Sequence, residues 1–416
     1  MSHWQAEGIS AGDARLLREL ARRVAEIAHQ PIMAERREMW IRHNMLERQR
    51  PMVLVFPEGS WRELLPESAL QCEGAEARRM EWELRHRIYY DEHIPDDSVI
   101  EDSWLVRKAI SVSGWGLEPE HEPSAQDTGA WGFRPVIRDE RDLDSLTFPR
   151  VTYDRDETER RVAQAHVLFD GILDVRLVGV QHVSFHLMNI YCQLRGLEQV
   201  MWDMYDQPDM LHRAMHILEE GHHRLVDQYL ALGLLDLNND GTYHSTGGVG
   251  YTRELPAPGY RPGRVRTRDM WSSAEAQEMA EVSPAMHREF ILAYERRLLA
   301  RFGLNGYGCC ESLADKLDDV FTIPRIRRIS ISPFAPVEPC APKLGADYIF
   351  SWKPHPSHLV GDFDEEQIRS YLEHTLQVTR GCVIEMILKD THTCEHRAER
   401  FTRWTTIARE LADAYA

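Results

Sequence analysis

Apolar side chains recur at helical spacing in the first fifty residues of the chain. The apolar positions are Leu16, Leu17, Leu20, Val24 and Ile27, and Arg and Glu residues lie between them. No Gly or Pro interrupts residues 13–30, so the periodic pattern is continuous over this interval. The pattern predicts a helical extension over residues 1–50.

Further along the chain, short apolar runs alternate with long amphipathic stretches. The runs that predict strands are residues 53–56, 174–180, 234–239, 304–308, 328–333, 348–353 and 383–389. The longest stretches that predict helices are residues 196–232, 273–301 and 365–378. This alternation is typical of a parallel sheet covered by helices.

Two architectures are compatible with seven such strands. An eighth strand at residues 109–113 would close a (β/α)8 TIM barrel, whereas a smaller number would suit an open, doubly wound sheet. No Gly-rich phosphate loop follows any of the predicted strands, so the open nucleotide-binding sheet lacks its usual signature. We therefore expect an α/β protein in which residues 51–416 form a (β/α)8 barrel after the N-terminal helical extension.

Composition narrows the partners and the location. Of the 416 residues, 67 are Asp or Glu and 49 are Lys or Arg, which gives a net charge of −18. Nucleic acid binding requires clustered positive charge, so we expect no nucleic acid partner. No apolar run reaches the length of a membrane span, and the first seven residues lack an apolar signal core. Seven sparse cysteines are typical of a reduced cytoplasmic protein, so we expect a cytoplasmic location and no membrane partner.

Polar or reactive side chains follow the ends of the predicted strands. They are Glu58, Gln181, His182, Ser184, His186, Asn238, Asn239, Asp240, His244, Cys309, Cys310, Glu311, Ser332, Lys353, Lys389 and Asp390. A single one of them is explained by capping of the next helix. In a barrel, however, the carboxyl ends of the strands form the active-site mouth. Polar groups at seven strand ends therefore favour a functional pocket.

The densest of these strand ends contains two adjacent thiols and a carboxylate. Cys310 and Glu311 have donor atoms that suit zinc, and His244 is a candidate third ligand, since a zinc site needs three or four protein ligands. The other interpretation is a buried thiol and a carboxylate near the start of a helix. Asp240 either forms a tight turn or belongs to the site, and His182 and His186 either line the pocket or fill the core.

Residues 256–268 are rich in Pro, Gly and Arg and follow the predicted strand end that carries Asp240 and His244. We expect this segment to overhang the barrel mouth. It is compatible with a lid, with a docking surface for a partner, or with an ordinary surface loop.

Several short motifs resemble, in their order and spacing, those of the uroporphyrinogen decarboxylase superfamily. They lie at residues 194–198, 204–208, 281–290, 308–311 and 344–348. Residues 281–290 are similar to the helix start "ISPE-x-F" of the family, residues 308–311 occupy the position of its "HxCG", and residues 344–348 match its "GAD". The resemblance covers most of residues 50–412 and implies a (β/α)8 barrel.

The superfamily that the chain resembles contains enzymes of two kinds, which catalyse either decarboxylation or methyl transfer. Decarboxylases of the family carry an "RQAGRY" stretch whose arginines suit a polycarboxylate, but the corresponding residues 56–62 lack this pattern and contain Glu58. The other branch transfers methyl groups with corrinoid proteins, and some of its members hold zinc with "HxCG" and a later Cys. Here Tyr307 or Gly308 replaces that His, and Lys389 and Asp390 stand where the later Cys is expected.

The resemblance therefore implies a methyltransferase of anaerobic one-carbon metabolism. Its expected substrates are a small O-methyl donor, such as a methoxyaromatic, and the Co(I) cobalamin (corrinoid) of a partner protein, with zinc as a possible metal. Because Co(I) is already a strong nucleophile, O-demethylation needs an acid for the leaving group. The candidate catalytic residues are Asp240, His244, Glu311 and Lys389. The candidate donor-binding residues are His182, His186, Tyr243, Tyr307, Cys309, Trp352 and Lys353.

Two other functions remain open at this point. One is a decarboxylase of a smaller or altered tetrapyrrole, and the other is a non-catalytic barrel that binds a corrinoid or a tetrapyrrole. The sequence is also compatible with a homo-oligomer.

Overall fold

The computed structural model describes residues 8–122, 132–244 and 247–416, and short strands alternate in it with helices. The strands are β1 (Met52–Val55), β2 (Ser103–Arg107), β3 (Ala109–Val112), β4 (Glu120–Glu122), β5 (Gly132–Arg134), β6 (Val151–Asp154), β7 (Asp174–Val178), β8 (Ser184–Phe185), β9 (Trp271–Ala274), β10 (Leu304–Tyr307), β11 (Ile326–Ile331), β12 (Ile349–Trp352) and β13 (Val383–Leu388).

The helices are α1 (Ala11–Ala28), α2 (Pro31–Asn44), α3 (Trp61–Leu64), α4 (Ala75–His93), α5 (Arg155–Phe169), α6 (Leu187–Arg195), α7 (Leu197–Asp206), α8 (Pro208–Ala231), α9 (Pro284–His287), α10 (Ala293–Leu299), α11 (Leu317–Val320), α12 (Val337–Leu344), α13 (Glu365–Val378) and α14 (Glu399–Ala414). Within the described ranges, no helix has both the length and the apolar character that crossing a bilayer requires.

The chain divides into two structural units. Unit 1 consists of Met1–Ala109, Asp154–Gly179 and Leu344–Ala416, and unit 2 consists of Ile110–Tyr153 and Val180–Lys343. The protein is of the mixed α/β class, with three central parallel strands in unit 1 and four in unit 2. The domain boundary expected near residue 50 stays a prediction.

In unit 1, β13 lies between β1 and β12 and is parallel to both. All three strands are completely buried, including the polar residues Ser351 of β12 and Glu385 of β13, and their other residues are apolar. A second parallel pair, β2 and β7, lies in the same unit. Its helices α1, α4 and α5 form an apolar core around Leu17, Val24, Leu84 and Phe169. Ser10 caps α1 by accepting a hydrogen bond from the backbone N–H of Asp13 at 3.0 Å.

In unit 2, four parallel strands follow the order β8, β9, β10, β11. The last residue of β9, Ala274, is in register with the last residues of its two neighbours, Phe185 of β8 and Tyr307 of β10. The carboxyl ends of these three strands therefore lie side by side. The residues that follow them are brought to one edge of the sheet, and this edge positions the candidate site.

Most of the predicted strands are confirmed, and two predictions are wrong. Residues 109–113 do contain β3, but it pairs with β6 in a two-stranded sheet. It is half-exposed to exposed, so it is not an eighth central strand. The strand predicted at residues 174–180 is confirmed as β7, which is parallel to β2 in a two-stranded sheet. Residues 234–239 contain one bridge, between Val180 and Leu235, instead of a strand.

The predicted helices are confirmed at residues 13–30 and 365–378, where α1 and α13 lie. The stretch at 196–232 is two helices, because Pro208 lacks an N–H and begins α8 after a break at Gln207. The helix predicted at 273–301 is wrong at its start. Its first residues belong to β9, and helical structure begins at α9 and continues through a π-helical turn, Arg288–Leu292, into α10.

Candidate active site

A histidine and a glutamate meet at the carboxyl ends of β8 and β9 in unit 2. His186 follows β8 and Glu275 follows β9, and Nδ1 of His186 lies 2.5 Å from Oε1 of Glu275. The other oxygen of Glu275, Oε2, accepts the backbone N–H of Gln277 at 2.8 Å. The carboxylate is therefore held on both sides. The side chain of His186 is 36% exposed and that of Glu275 is 5% exposed, so the imidazole is open to a ligand and its partner is not.

The pKa of His186 is raised by this arrangement. Burial alone would lower the pKa of the ring, but the hydrogen bond and the negative charge of Glu275 outweigh burial, and Cys309 and Glu278 add to the effect. An imidazole whose charged form is favoured by an adjacent carboxylate, with its ring partly accessible, is suited to donate a proton.

Glu311 links the loops that follow β9 and β10. Its Oε1 accepts the backbone N–H of Ala276 at 3.1 Å, and its Oε2 accepts that of Cys309 at 2.8 Å. The side chain is 1% exposed. Burial raises the pKa of Glu311, and the nearby charge of Glu275 raises it further. Glu311 therefore positions the two loops and does not itself face solvent.

The adjacent cysteines lie beside this carboxylate and are half-buried. Their Sγ atoms are 3.7 Å apart, and the backbone carbonyl of Cys309 accepts a hydrogen bond from Ser330 at 2.8 Å. Gly308 precedes them with a φ of +92°, and a Cβ there would lie 2.6 Å from Leu313, so only glycine suits this turn. The turn is what brings Glu311 back against the end of β9.

The zinc ligands expected from the sequence, Cys310, Glu311 and His244, do not form a metal site. Both oxygens of Glu311 already accept backbone N–H groups. Within the described parts of the chain, no group of three His, Cys, Asp or Glu side chains is placed to hold a metal ion. The donor set of Cys310, Glu311 and His244 therefore does not fit zinc, and no chemical step is assigned to a metal.

Tyr307 lies in a buried hydrogen-bond chain behind the strand ends. Its hydroxyl donates to Oε2 of Glu295 at 2.8 Å and lies 2.9 Å from Nε2 of His287. All three side chains are at most 1% exposed. Burial raises the pKa of Glu295 well above its usual range and lowers the pKa of His287 to about 3. Tyr307 was expected to bind the donor, but its hydroxyl is directed to buried partners.

Asp240 and His244 contact a different set of residues. Asp240 accepts hydrogen bonds from the N–H and the hydroxyl of Thr242, at 2.9 and 2.5 Å, which is the geometry of a tight turn. The ring of His244 lies 5.3 Å from the ring of Trp271, the first residue of β9. Glu275 follows the last residue of that strand. Gln181, on the segment before β8, also donates to Asp240 at 3.3 Å, so the contacts of Asp240 lie in its own turn and on this segment, and His244 contacts the start of β9.

Two other residues that were predicted to bind the donor are Tyr243 and His182. Tyr243 forms an isolated antiparallel bridge with Val249, next to His244. His182 is exposed on the segment between β7 and β8.

The remaining predicted site residues belong to unit 1. Trp352 and Lys353 are buried, and Nζ of Lys353 donates to the backbone carbonyl and hydroxyl oxygens of Ser351, both at 3.2 Å. Nζ of Lys389 lies 3.5 Å from Oδ1 of Asp390. The backbone N–H of Asp390 donates to Glu58 at 2.6 Å, so the ends of β1 and β13 carry a separate polar group.

Two residues of the candidate site were missed from the sequence, Glu275 and Glu278. Glu278 accepts a hydrogen bond from Nδ2 of Asn189 at 2.5 Å, and burial raises its pKa. Both follow β9, which was not predicted. The available signal was a Glu directly after the short run from Trp271 to Ala274.

Comparison with known proteins supports the fold. The chain is similar to a solved structure described as a methyltransferase from Methanosarcina mazei, with a TM-score of 0.50 and 10% sequence identity. The likeness covers 89% of this chain and 97% of that one. No family model and no curated protein matches the chain. At this identity the likeness concerns the fold alone.

Proposed function

We propose that the protein is a methyltransferase that moves a methyl group from a small O-methyl donor, such as a methoxyaromatic, to the Co(I) of a corrinoid carried by a partner protein. The observation that carries the proposal is the His186–Glu275 pair at the carboxyl ends of parallel strands. The motif resemblance and the fold of the methyltransferase from Methanosarcina mazei support it. The proposal includes closure of the strands into a (β/α)8 barrel and a cytoplasmic location.

Methyl transfer of this kind requires an acid more than it requires a base. The bond between the methyl carbon and the donor oxygen breaks as the carbon bonds to the Co(I) acceptor, and the electron pair of the broken bond stays on the oxygen. A phenolate or an alkoxide is a poor leaving group unless it is protonated. The reaction therefore consumes one proton for each methyl group, and that proton must be delivered at the donor oxygen.

His186 is the proposed source of this proton. Nδ1 of the ring is held by Glu275, so the orientation of the ring is fixed and Nε2 is the atom that donates to the donor oxygen. Glu275 raises the pKa of the imidazole and so favours its protonated form before transfer. Glu311 is a positioning residue, because it fixes the loop that carries Glu275.

The test is methyl transfer to a Co(I) corrinoid protein, followed through the cobalt absorption spectrum, with donors of graded leaving-group acidity. We expect His186→Gln to reduce transfer from an unsubstituted methoxyaromatic by about 10²–10⁴-fold, the usual contribution of general acid catalysis. The loss should shrink for a nitro-substituted methoxyaromatic, whose phenolate needs no proton. A structural defect would reduce transfer from all donors equally.

His166→Gln is the matched control, because His166 belongs to unit 1, whereas the site belongs to unit 2, and it forms an exposed hydrogen bond to Asp170 at 2.7 Å. It should leave all rates unchanged. Absence of methyl transfer with every donor would contradict the proposed function, and an equal loss for all donors would contradict the role of His186. Release of carbon dioxide from a porphyrinogen would instead support the decarboxylase.

A further inference from the structure

A cavity of about 430 Å³ lies at the amino ends of the strands in unit 2. Its wall includes Leu304, the first residue of β10, and Arg325, which directly precedes β11. Residues 266–268, just before β9, form another part of the wall. This is the end of the strands opposite to His186 and Glu275, although residues 256–268 were expected to overhang the carboxyl ends. The volume is within the range of small-molecule sites.

Four arginines and one glutamate line this cavity, and most of their charges are already paired. Arg266 forms two hydrogen bonds with the carboxylate of Asp269, at 2.6 and 2.9 Å. Arg301 is ion-paired with Asp227. The glutamate, Glu254, accepts two hydrogen bonds from Arg327, both at 2.8 Å. These three groups therefore contribute little net charge to the cavity.

The other two arginines have no carboxylate partner within the described residues. Arg325 donates from Nε to the carbonyl of Phe302 at 2.7 Å and from Nη2 to the carbonyl of Ala300 at 2.5 Å. These neutral partners fix the guanidinium and leave its charge uncompensated. Arg268 is exposed on the wall and forms no ion pair in the described parts of the chain. The cavity thus carries about two positive charges, in a protein whose net charge is −18.

The wall is held closely against the start of β10. A Cβ at Gly303 would lie 2.6 Å from Cδ2 of Leu255 and closer still to the backbone carbonyl oxygen of Arg268. Only glycine permits this approach, so the backbone that carries Arg268 is fixed to the strand. Leu255, Trp271 and Leu304 form a small buried apolar cluster beside it. The cavity therefore combines two cationic groups with an apolar side.

We propose that this cavity binds a small organic molecule that carries a phosphate monoester. Guanidinium groups match phosphate oxygens in geometry and charge, and two of them balance a dianion. The apolar side accommodates the organic part of the ligand. The proposal is independent of the methyltransferase function, because it concerns the opposite ends of the strands and is tested without donor or acceptor.

The test is calorimetric titration of the full chain with phenyl phosphate at constant ionic strength, compared with phenyl sulfate. We expect saturable binding of phenyl phosphate and weaker binding of the sulfate, which has a single charge. Arg268→Gln should weaken binding by about tenfold or more, the loss expected for one hydrogen bond between charged groups. The Arg268 side chain forms no ion pair within the described residues, so this variant removes no ion pair of the folded protein and reports the effect on the ligand. Arg325→Gln should weaken binding by a similar factor.

Arg264→Gln is the matched control, since Arg264 is an exposed arginine of the same segment that does not line the cavity. It should bind phenyl phosphate as the wild type does. The second ionisation of a phosphate monoester has a pKa of about 6, so binding should weaken at pH 5, where the ligand is a monoanion. Equal affinity for phenyl phosphate and phenyl sulfate at pH 8 would overturn the proposal. Unchanged binding by Arg268→Gln, or an equal loss in Arg264→Gln, would also overturn it.

Discussion

Replacing Glu275 with Gln removes the charge that faces the imidazole of His186 and keeps the shape of the side chain. In the wild type the pKa of His186 is raised because Glu275 outweighs burial. In the variant burial acts against a neutral partner, so the pKa should fall. The alkaline limb of the pH–rate profile should move to lower pH by the same amount, since proton donation requires the charged ring.

The size of the shift follows from the geometry. A hydrogen bond to a charged group contributes about 1.5–3 kcal/mol, and one pKa unit corresponds to about 1.4 kcal/mol. Complete loss would therefore lower the pKa of His186 by about one to two units. The ring is 36% exposed, so solvent screens part of the charge. The glutamine oxygen also remains a hydrogen-bond acceptor, and we therefore expect a fall of about one unit.

The assay is an NMR titration of the labelled histidine rings, which reports the pKa of His186 without requiring turnover. Glu278→Gln is the matched control. Its carboxylate also favours the charged ring, but its hydrogen bond goes to Asn189, so it should shift the pKa of His186 less. An unchanged pKa in Glu275→Gln would refute the reasoning. A larger shift in Glu278→Gln than in Glu275→Gln would refute it as well.

Three further predictions concern stability. A Cβ at Gly221, inside α8, would lie 2.7 Å from Cη2 of Trp115, so Gly221→Ala should lower the free energy of unfolding by about 1–3 kcal/mol. At the exposed and uncrowded Gly12 of α1 the same change should raise it by up to about 1 kcal/mol. Urea unfolding measures both, and a gain of stability at Gly221 would contradict the packing. His287, whose pKa is about 3, stays neutral in the folded state while the unfolded chain takes up a proton near pH 6.5. As the pH is lowered from about 6.5 to about 3, the free energy of unfolding should therefore fall by about 1.4 kcal/mol per pH unit. Urea titrations of His287→Gln should show a shallower decline over the same pH range.

The pattern of apolar residues predicted a helix or strand correctly where the local sequence and the packing in the folded protein favour the same structure. α13 lies at residues 365–378 as expected, because Asp364 caps it and a clear apolar face follows. β9 escaped prediction because Ser272, Ser273 and Ala274 are small and have no β-branched side chain. These residues are buried by their neighbouring strands, and a single sequence does not show those neighbours.

The candidate site was predicted only in part, because the contacts that assemble it join segments that are distant in the sequence. Glu311 was singled out because it lies in a chemically dense strand end, and it does lie at the carboxyl end of the strands. The partner that raises the pKa of His186 is Glu275, which lies 89 residues away in the chain and reaches the ring only because β8 pairs with β9. The ring of His244 packs against the ring of Trp271, and no local sequence pattern predicts the path of the loop that carries His244. Contacts between distant segments were therefore the part that sequence reasoning did not reach.

The two hydrogen bonds of Glu311 have a consequence for how this site can change in evolution or by design. One carboxylate joins the loop after β9 to the loop after β10, with one oxygen for each. An insertion or deletion in either loop alone would leave one backbone N–H without its acceptor and would move Glu275 relative to His186. The two loops therefore form a single unit of variation, and a redesign of donor specificity has to alter them together or leave both unchanged.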